Sequence, residues 1–127
     1  MAENRKGPAI AFDLDGTITK SKCWCPSDKL ELIDGAYEAI WKFKELGYRI
    51  IIYTARFDSQ YFTNDEVIQE VRVVTEFLNR SNIPFDELAL SGKPVCEIYF
   101  DDKAVHFNGN WSDALLEAGR RLDINIW

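Results

Sequence analysis

The order of apolar runs along the chain predicts an α/β protein, a Rossmann-like three-layer α/β/α sandwich with a mainly parallel central sheet. Short runs rich in β-branched and aromatic residues, such as YRIIIYTA (48–55), alternate with longer segments in which apolar residues recur at helical spacing. The strand-like runs lack regular polar alternation, which is typical of strands covered by helices on both faces. A length of 127 residues suits one domain, 1–127, with a single core.

In the first half of the chain, two strands flank one helix. PAIAFD (Pro8–Asp13) is a short apolar run that predicts the first strand, and YRIIIYTA predicts the second. Between them, GAYEAIWKFKELG predicts a helix, because its apolar residues recur near the helical period and Gly47 is a typical helix stop.

The second half continues the alternation. NDEVIQEVRVVTEFLNRSN predicts a helix with Thr63 or Asn64 as its N-cap. ELALS and EIYFDD predict two short strands, and AVHF is a candidate for a further one. WSDALLEAGRRL predicts a closing helix that starts near Asn110 or Ser112.

Composition narrows the class of function. The formal net charge of −6 argues against non-specific binding of nucleic acid, because a phosphate backbone requires a cationic surface. No apolar run approaches the roughly 20 residues of a membrane span, so no membrane partner is expected. The start of the chain, MAENRKGPAIAF, lacks the apolar core of a signal peptide, which predicts a cytoplasmic location.

The cysteines predict neither a disulfide framework nor a metal centre. The chain has three of them, an odd number. Cys23, Trp24 and Cys25 follow the first strand, and neither Cys96 nor His106 completes a recognisable zinc-ligand spacing with them. We therefore expect this loop to serve packing.

Polar chemistry follows three of the predicted strands where each strand ends. The residues concerned are Asp13, Asp15, Thr54, Arg56, Asp101 and Asp102. Carboxyl ends of parallel strands lie at the same edge of a sheet, which is where open α/β sheets form their sites. Lys93, in SGKP after the third strand, is placed to join this group.

Four carboxylates in one crevice require compensating positive charge. At about 4 Å and an effective dielectric constant near 20, each like-charged pair costs roughly 4 kcal/mol. Lys93 and Arg56 supply part of the compensation, and a divalent cation would supply the rest. Oxygen ligands favour Mg²⁺ over Zn²⁺, and Mg²⁺ held by carboxylates is a usual partner of phosphate groups.

The D-x-D pair suggests two tasks for neighbouring carboxylates. One can attack phosphorus as a nucleophile, while the other moves the proton of the leaving group and then of water. Gly16 allows the chain to turn directly after the pair.

The motifs FDLDGT, YTAR, GKP and YFDD, in this order, resemble those of the haloacid-dehalogenase-like (HAD) phosphatase superfamily. The resemblance covers the chain from about Ala9 to Phe107. Within the superfamily, IIYTAR, FDEL, GKP and DDKA are similar to the small capsular-polysaccharide-biosynthesis phosphatases.

The resemblance implies a role for each motif residue. Asp13 would be the nucleophile that forms an aspartyl-phosphate, and Asp15 the general acid and base. Thr54 would hydrogen-bond the phosphoryl group, and Lys93 would neutralise its oxygens. The implied Mg²⁺ ligands are Asp13, Asp101, Asp102 and the backbone carbonyl of Asp15. The predicted substrate-binding residues are Gly16, Thr54, Ala55, Arg56 and Lys93.

The chain has no room for the cap domain that many HAD enzymes carry. Neither 17–34 nor 57–92 is long enough to form one. A capless site is open, so it accepts a large substrate or is shielded by a homo-oligomer. The resemblance favours a small phosphorylated metabolite such as a sugar phosphate. The alternatives are a phosphatase for a nucleic-acid or protein phosphate and a non-catalytic HAD-like binding module.

Overall fold

A computed structural model describes residues 7–20 and 30–126. Its sheet has four strands, which are β1 (Ala9–Asp13), β2 (Arg49–Tyr53), β3 (Glu87–Leu88) and β4 (Ile98–Phe100). Their order is β3-β2-β1-β4, and all three neighbouring pairs are parallel. The predicted α/β class with a mainly parallel central sheet is confirmed. The predictions for Cys23, Trp24 and Cys25 lie outside the described residues.

The described fold has three α-helices, namely α1 (Ala36–Glu45), α2 (Asn64–Arg80) and α3 (Trp111–Leu122), and a short 3-10 helix (Ala55–Phe57) after β2. Thr63 is the N-cap of α2, where its side chain accepts a hydrogen bond from the Glu66 amide and Glu66 accepts one in return. Asn110 caps α3. Within the described ranges, no helix combines the length and the apolar character that crossing a bilayer requires.

The candidate strand AVHF does not form. Residues 104–107 have no strand pairing, and β4 has β1 as its one described neighbour. A short apolar run becomes a strand only where another strand offers hydrogen bonds and cross-strand contacts. The sequence pattern alone could not supply that partner.

The core lies mainly between the sheet and the first two helices. Because β1, β2 and β3 are successive in the sheet, crossovers of one hand place α1 and α2 on the same face. The buried side chains shared by the sheet and these helices include Ile10, Phe12, Ile50, Ile52, Ile40, Val74 and Leu78. This packing fixes the strands whose ends carry the polar residues.

Because side chains alternate along a strand, the side chain of Asp13 points to the face of the sheet opposite the one that α1 and α2 cover. Ala9 and Ala11 pack there with Ile51, and Asp13 has the same parity. Asp13 pairs in register with Tyr53, while Ala11 pairs with Tyr99, two residues before Asp101. Residues in register on neighbouring strands point to the same face of the sheet. The side chains of Asp13, Tyr53 and Asp101 therefore lie side by side on one face, at the carboxyl ends of the strands.

Candidate active site

Three carboxylates form one cluster beyond the carboxyl ends of β1 and β4. Asp13, Asp101 and Asp102 each offer one oxygen, and these oxygens all lie within 4.8 Å of one another. All three residues are half-buried. The structure therefore brings together Asp13, at the end of the first strand, and Asp101 and Asp102, after the fourth, as the sequence predicted.

Asp101 is held in place by two hydrogen bonds. The Tyr53 hydroxyl donates to Oδ2 at 2.8 Å, and the Lys103 amide donates to Oδ1 at 2.8 Å. Burial, reinforced by the contact with Asp101, raises the pKa of Tyr53 above its usual value, so the phenol remains a proton donor at neutral pH. Tyr53 therefore orients one member of the cluster.

Asp102 has an oxygen to which none of the described residues provides a hydrogen bond. This atom, Oδ1, is buried. Gly16 leaves room for this carboxylate, because a Cβ built at Gly16 would lie 2.9 Å from the Asp102 Cγ. Gly16 also has a φ of 82°, which favours glycine. A side chain at this position would be strained by the φ value and would displace the carboxylate of Asp102.

Asp13 shows the electrostatic cost of the cluster. Burial, the hydrogen bond with Asp102 and the nearby charges of Asp101 and Asp102 raise its pKa to about 7. A cation placed among the three groups would reverse the effect of this repulsion by favouring the ionised forms.

The raised pKa of Asp13 predicts that the metal-free protein loses stability as pH rises. The folded state keeps a proton on Asp13 up to about pH 7, whereas the ordinary pKa is 3.8. The folded state therefore binds more protons between these values, and the free energy of unfolding falls with increasing pH. Because Asp13 is partly exposed, we expect a loss of about 1–2 kcal/mol between about pH 5 and pH 8.

Thermal denaturation in EDTA at the two pH values measures this loss. Asp13→Asn should remove most of the pH dependence, and Mg²⁺ should raise the Tm of the unmodified protein more at the higher pH. A metal-free protein that is more stable at the higher pH would contradict the raised pKa.

Asp15 is held apart from the cluster by a buried arginine. Arg56 donates to Asp15 through Nε to Oδ2 and Nη2 to Oδ1, both at 2.8 Å. Its Nη1 donates to Oε1 of Glu70, on α2, at 2.9 Å. The Arg56 side chain is 0% exposed. Burial alone would lower its pKa, but the hydrogen bonds with Asp15 and Glu70 outweigh burial and raise it.

These bonds give Arg56 two ion-pair partners, Asp15 and Glu70, where the sequence left a surface ion pair open as the alternative to a substrate contact. In the structure the Arg56 guanidinium is buried between these two carboxylates. The predicted contact between Arg56 and a substrate stays a prediction. The carboxylate of Asp15 is not part of the acidic cluster. Its backbone carbonyl stays a predicted metal ligand.

Thr54 lies beside Arg56 and Asp15. Its Oγ1 accepts a hydrogen bond from the Arg56 amide at 3.2 Å and lies 3.5 Å from Asp15 Oδ2. Thr54 and Ala55 also line an open cleft of about 540 Å³. Their predicted contacts with a phosphoryl group stay predictions.

Lys93 lies in a second cleft beside the cluster. This cleft, of about 390 Å³, is lined by Lys93, Asp101 and Tyr99, and it shares Tyr53 with the first. The Lys93 ammonium lies 4.6 Å from the centre of the Tyr99 ring, a cation–π contact. Lys93 is exposed and thus available to an anion entering the cleft.

Sequence reasoning missed three residues around the site. Tyr53 could have been found from the alternation of side chains along β2. It is the last residue of that strand, and its side chain points to the same face of the sheet as Asp13. Glu70 interrupts the apolar stripe that Val67 and Val74 form on α2. Thr17, the last residue of the FDLDGT motif, has a buried hydroxyl without a hydrogen-bond partner in the described ranges, and no task was assigned to it from the sequence.

The donor set fits a hard divalent cation. Its three carboxylates converge, and the buried Asp102 Oδ1 would gain a partner from an ion among them. The same ion would offset the repulsion that raises the pKa of Asp13. Carboxylate oxygens match the ligand preference of Mg²⁺.

The parallel sheet, with acidic residues at the ends of two adjacent strands, defines a HAD-like α/β domain, as the sequence motifs indicated. The family model described as "PITM 1-3, LNS2 domain" matches residues 10–104. The chain belongs to this LNS2 domain family, a family of HAD-like phosphatases. The narrower resemblance to capsular-polysaccharide-biosynthesis phosphatases stays a prediction.

Two solved structures share the fold. A crystallised target protein from Vibrio cholerae is 27% identical, with a TM-score of 0.58 over 90% of this chain and 98% of that one. A conserved protein from Bacteroides thetaiotaomicron is 19% identical, with a TM-score of 0.55 over 92% of each chain. Comparison with curated proteins gave no match.

Proposed function

We propose that this protein is a Mg²⁺-dependent phosphatase that hydrolyses a phosphomonoester through an aspartyl-phosphate on Asp13. One observation carries the proposal: the Asp13 carboxylate lies in a cluster with Asp101 and Asp102, while Asp15 is held separately by Arg56. Two carboxylates only two residues apart therefore have different surroundings, which suits a nucleophile and a proton carrier.

In the first step, a carboxylate oxygen of Asp13 attacks phosphorus and the ester P–O bond breaks. Asp15, protonated at this stage, donates its proton to the departing oxygen and becomes a carboxylate. In the second step, Asp15 takes a proton from water, whose oxygen attacks phosphorus and releases inorganic phosphate. Asp13 is thereby regenerated as a carboxylate.

Asp13, Asp101 and Asp102 would hold Mg²⁺, with the backbone carbonyl of Asp15. Bound Mg²⁺ supplies positive charge that stabilises negative charge on the phosphoryl oxygens. The Tyr53 hydroxyl holds the Asp101 carboxylate in its place within the cluster. Lys93, which lies in the second cleft, would neutralise a further oxygen of the phosphoryl group.

For the substrate we propose a small phosphorylated metabolite such as a sugar phosphate. Both clefts are open, and their linings include polar side chains such as Ser59, Gln60 and Lys93, which suits a hydroxyl-rich leaving group. The same openness admits a phosphate on a nucleic acid or protein, although the net charge of −6 disfavours nucleic acid. Under this proposal the protein acts in the cytoplasm.

Hydrolysis of p-nitrophenyl phosphate with Mg²⁺ and with EDTA tests the proposal. We expect turnover with Mg²⁺ and a loss of at least about a hundredfold with EDTA, because the phosphoryl charge is then uncompensated. Removal of the chelator followed by added Mg²⁺ should restore the rate, which controls for unfolding.

A panel of sugar phosphates, nucleotides and phosphopeptides then separates the substrate classes by kcat/KM. Preference for a phosphopeptide or a nucleic-acid end would replace the metabolite by a macromolecule. The absence of turnover with Mg²⁺, Mn²⁺ or Co²⁺ on every substrate would contradict the phosphatase and favour a non-catalytic binding module.

A further inference from the structure

A buried ion-pair network connects α2 to the proposed proton carrier. Arg56 lies at its centre with a fully buried side chain, Asp15 on one side and Glu70 on the other. The side chains of Asp15 and Glu70 are 20% and 19% exposed, so both carboxylates reach the surface only in part. The proposed reaction assigns no task to Glu70.

The geometry of this network restricts the carboxylate of Asp15. The two bonds from Arg56 reach both oxygens of Asp15 and are equal in length, 2.8 Å from Nε and 2.8 Å from Nη2. A planar guanidinium that binds both oxygens fixes the plane of a carboxylate as well as its position. Each oxygen of Asp15 keeps a further lone pair, so its outer side can still exchange a proton.

The orientation of Arg56 depends in turn on α2. Glu70 lies three residues after Val67 and four before Val74, on the helix face that packs against the core. A carboxylate on that stripe requires a partner, and the third nitrogen of Arg56 provides it at 2.9 Å. The Arg56 amide is also bound to Thr54 Oγ1, so backbone and side chain are both restrained.

We propose that Glu70 is a positioning residue that acts through Arg56 to hold Asp15 in the orientation needed for proton transfer to the leaving group. This inference rests on the proposed function. Glu70 does not touch the reacting atoms; it keeps the guanidinium of Arg56 in register with the carboxylate of Asp15.

The test uses Glu70→Gln with two aryl phosphates of similar shape. Glutamine keeps the size and an acceptor oxygen but removes the charge that binds Arg56. The comparison uses kcat/KM, which reports formation of the aspartyl-phosphate and not its later hydrolysis. On phenyl phosphate, whose leaving group needs a proton, kcat/KM should fall by about tenfold or more. On p-nitrophenyl phosphate, whose leaving group departs without one, kcat/KM should fall by less than about threefold.

Two further variants separate positioning from general damage. Asp15→Asn removes the proton carrier, so adding Glu70→Gln to it should cause no additional change in the ratio of the two rates. Glu76→Gln alters an exposed glutamate on the same helix and should leave both rates unchanged.

Each outcome decides a different point. An equal fall on both substrates, an unchanged ratio, or an added effect in the Asp15→Asn background would overturn the role of Glu70. If the unmodified protein hydrolyses neither substrate with Mg²⁺, the proposed function fails and this inference fails with it. A hydrolysing protein with an unchanged ratio overturns the inference alone.

Discussion

Asp13→Asn is expected to abolish phosphatase turnover while leaving the protein folded. The amide has nearly the same shape as the carboxylate, but it cannot form the acyl-phosphate bond that the proposed reaction requires. We expect kcat to fall by at least about a thousandfold, since removal of a covalent nucleophile usually has an effect of this size or greater. A p-nitrophenyl phosphate assay with saturating Mg²⁺ measures the loss.

Stability should not fall with activity in this variant. The substitution removes one of three mutually repelling carboxylates, and burial already disfavours the charged form of Asp13. The Tm of the metal-free variant at neutral pH should therefore equal or exceed that of the unmodified protein. Asp34→Asn, at an exposed position, is the matched control for loss of an acidic charge. Turnover close to normal in Asp13→Asn would exclude Asp13 as the nucleophile.

Arg56→Met should destabilise the fold by about 3 kcal/mol. Methionine fills much of the volume of the buried side chain but leaves Asp15 and Glu70 facing each other without a cation. Breaking a buried ion pair by removing one partner costs about 3–5 kcal/mol, and the partial exposure of the two carboxylates places the expected value at the low end. For a chain of this length the Tm should fall by about 10 °C.

Chemical denaturation measures the change in free energy of unfolding directly. Arg49→Met is the matched control, because Arg49 pairs with Glu87 at 3.2 Å near the surface and its loss should cost below about 1 kcal/mol. Adding Glu70→Gln to Arg56→Met should recover part of the stability, since it removes one unpaired charge. If Arg56→Met and Arg49→Met lowered the free energy of unfolding equally, the buried ion pairs of Arg56 would contribute no more to stability than a surface pair.

The sheet and the acidic cluster could be predicted because both follow from local pattern and simple topology. Apolar runs placed the strands, and parallel pairing brought the ends carrying Asp13 and Asp101 to one edge. The start of α2 was fixed by chemistry that the sequence displays, namely Thr63 followed three residues later by Glu66.

The partners of Arg56 could not be predicted in the same way. The sequence does not distinguish an arginine that contacts a substrate from one that forms a buried ion pair, because both can follow the end of a strand. Its assignment depends on Glu70, which approaches only when α2 docks on the sheet. The orientation of Asp101 by Tyr53 likewise depends on the register between β2, β1 and β4, which pattern alone does not specify.

The order of strands in the sheet has a consequence for synthesis of the chain. Asp13 is synthesised well before Asp101, its neighbour across the sheet, which lies beyond β4, the last of the four described strands along the chain. A nascent chain that ends before β4 carries the proposed nucleophile but neither of the carboxylates that complete the cluster. Long-range pairings of this kind close late in folding. Catalytic competence should therefore arise abruptly, once translation has passed β4 and that strand has docked beside β1.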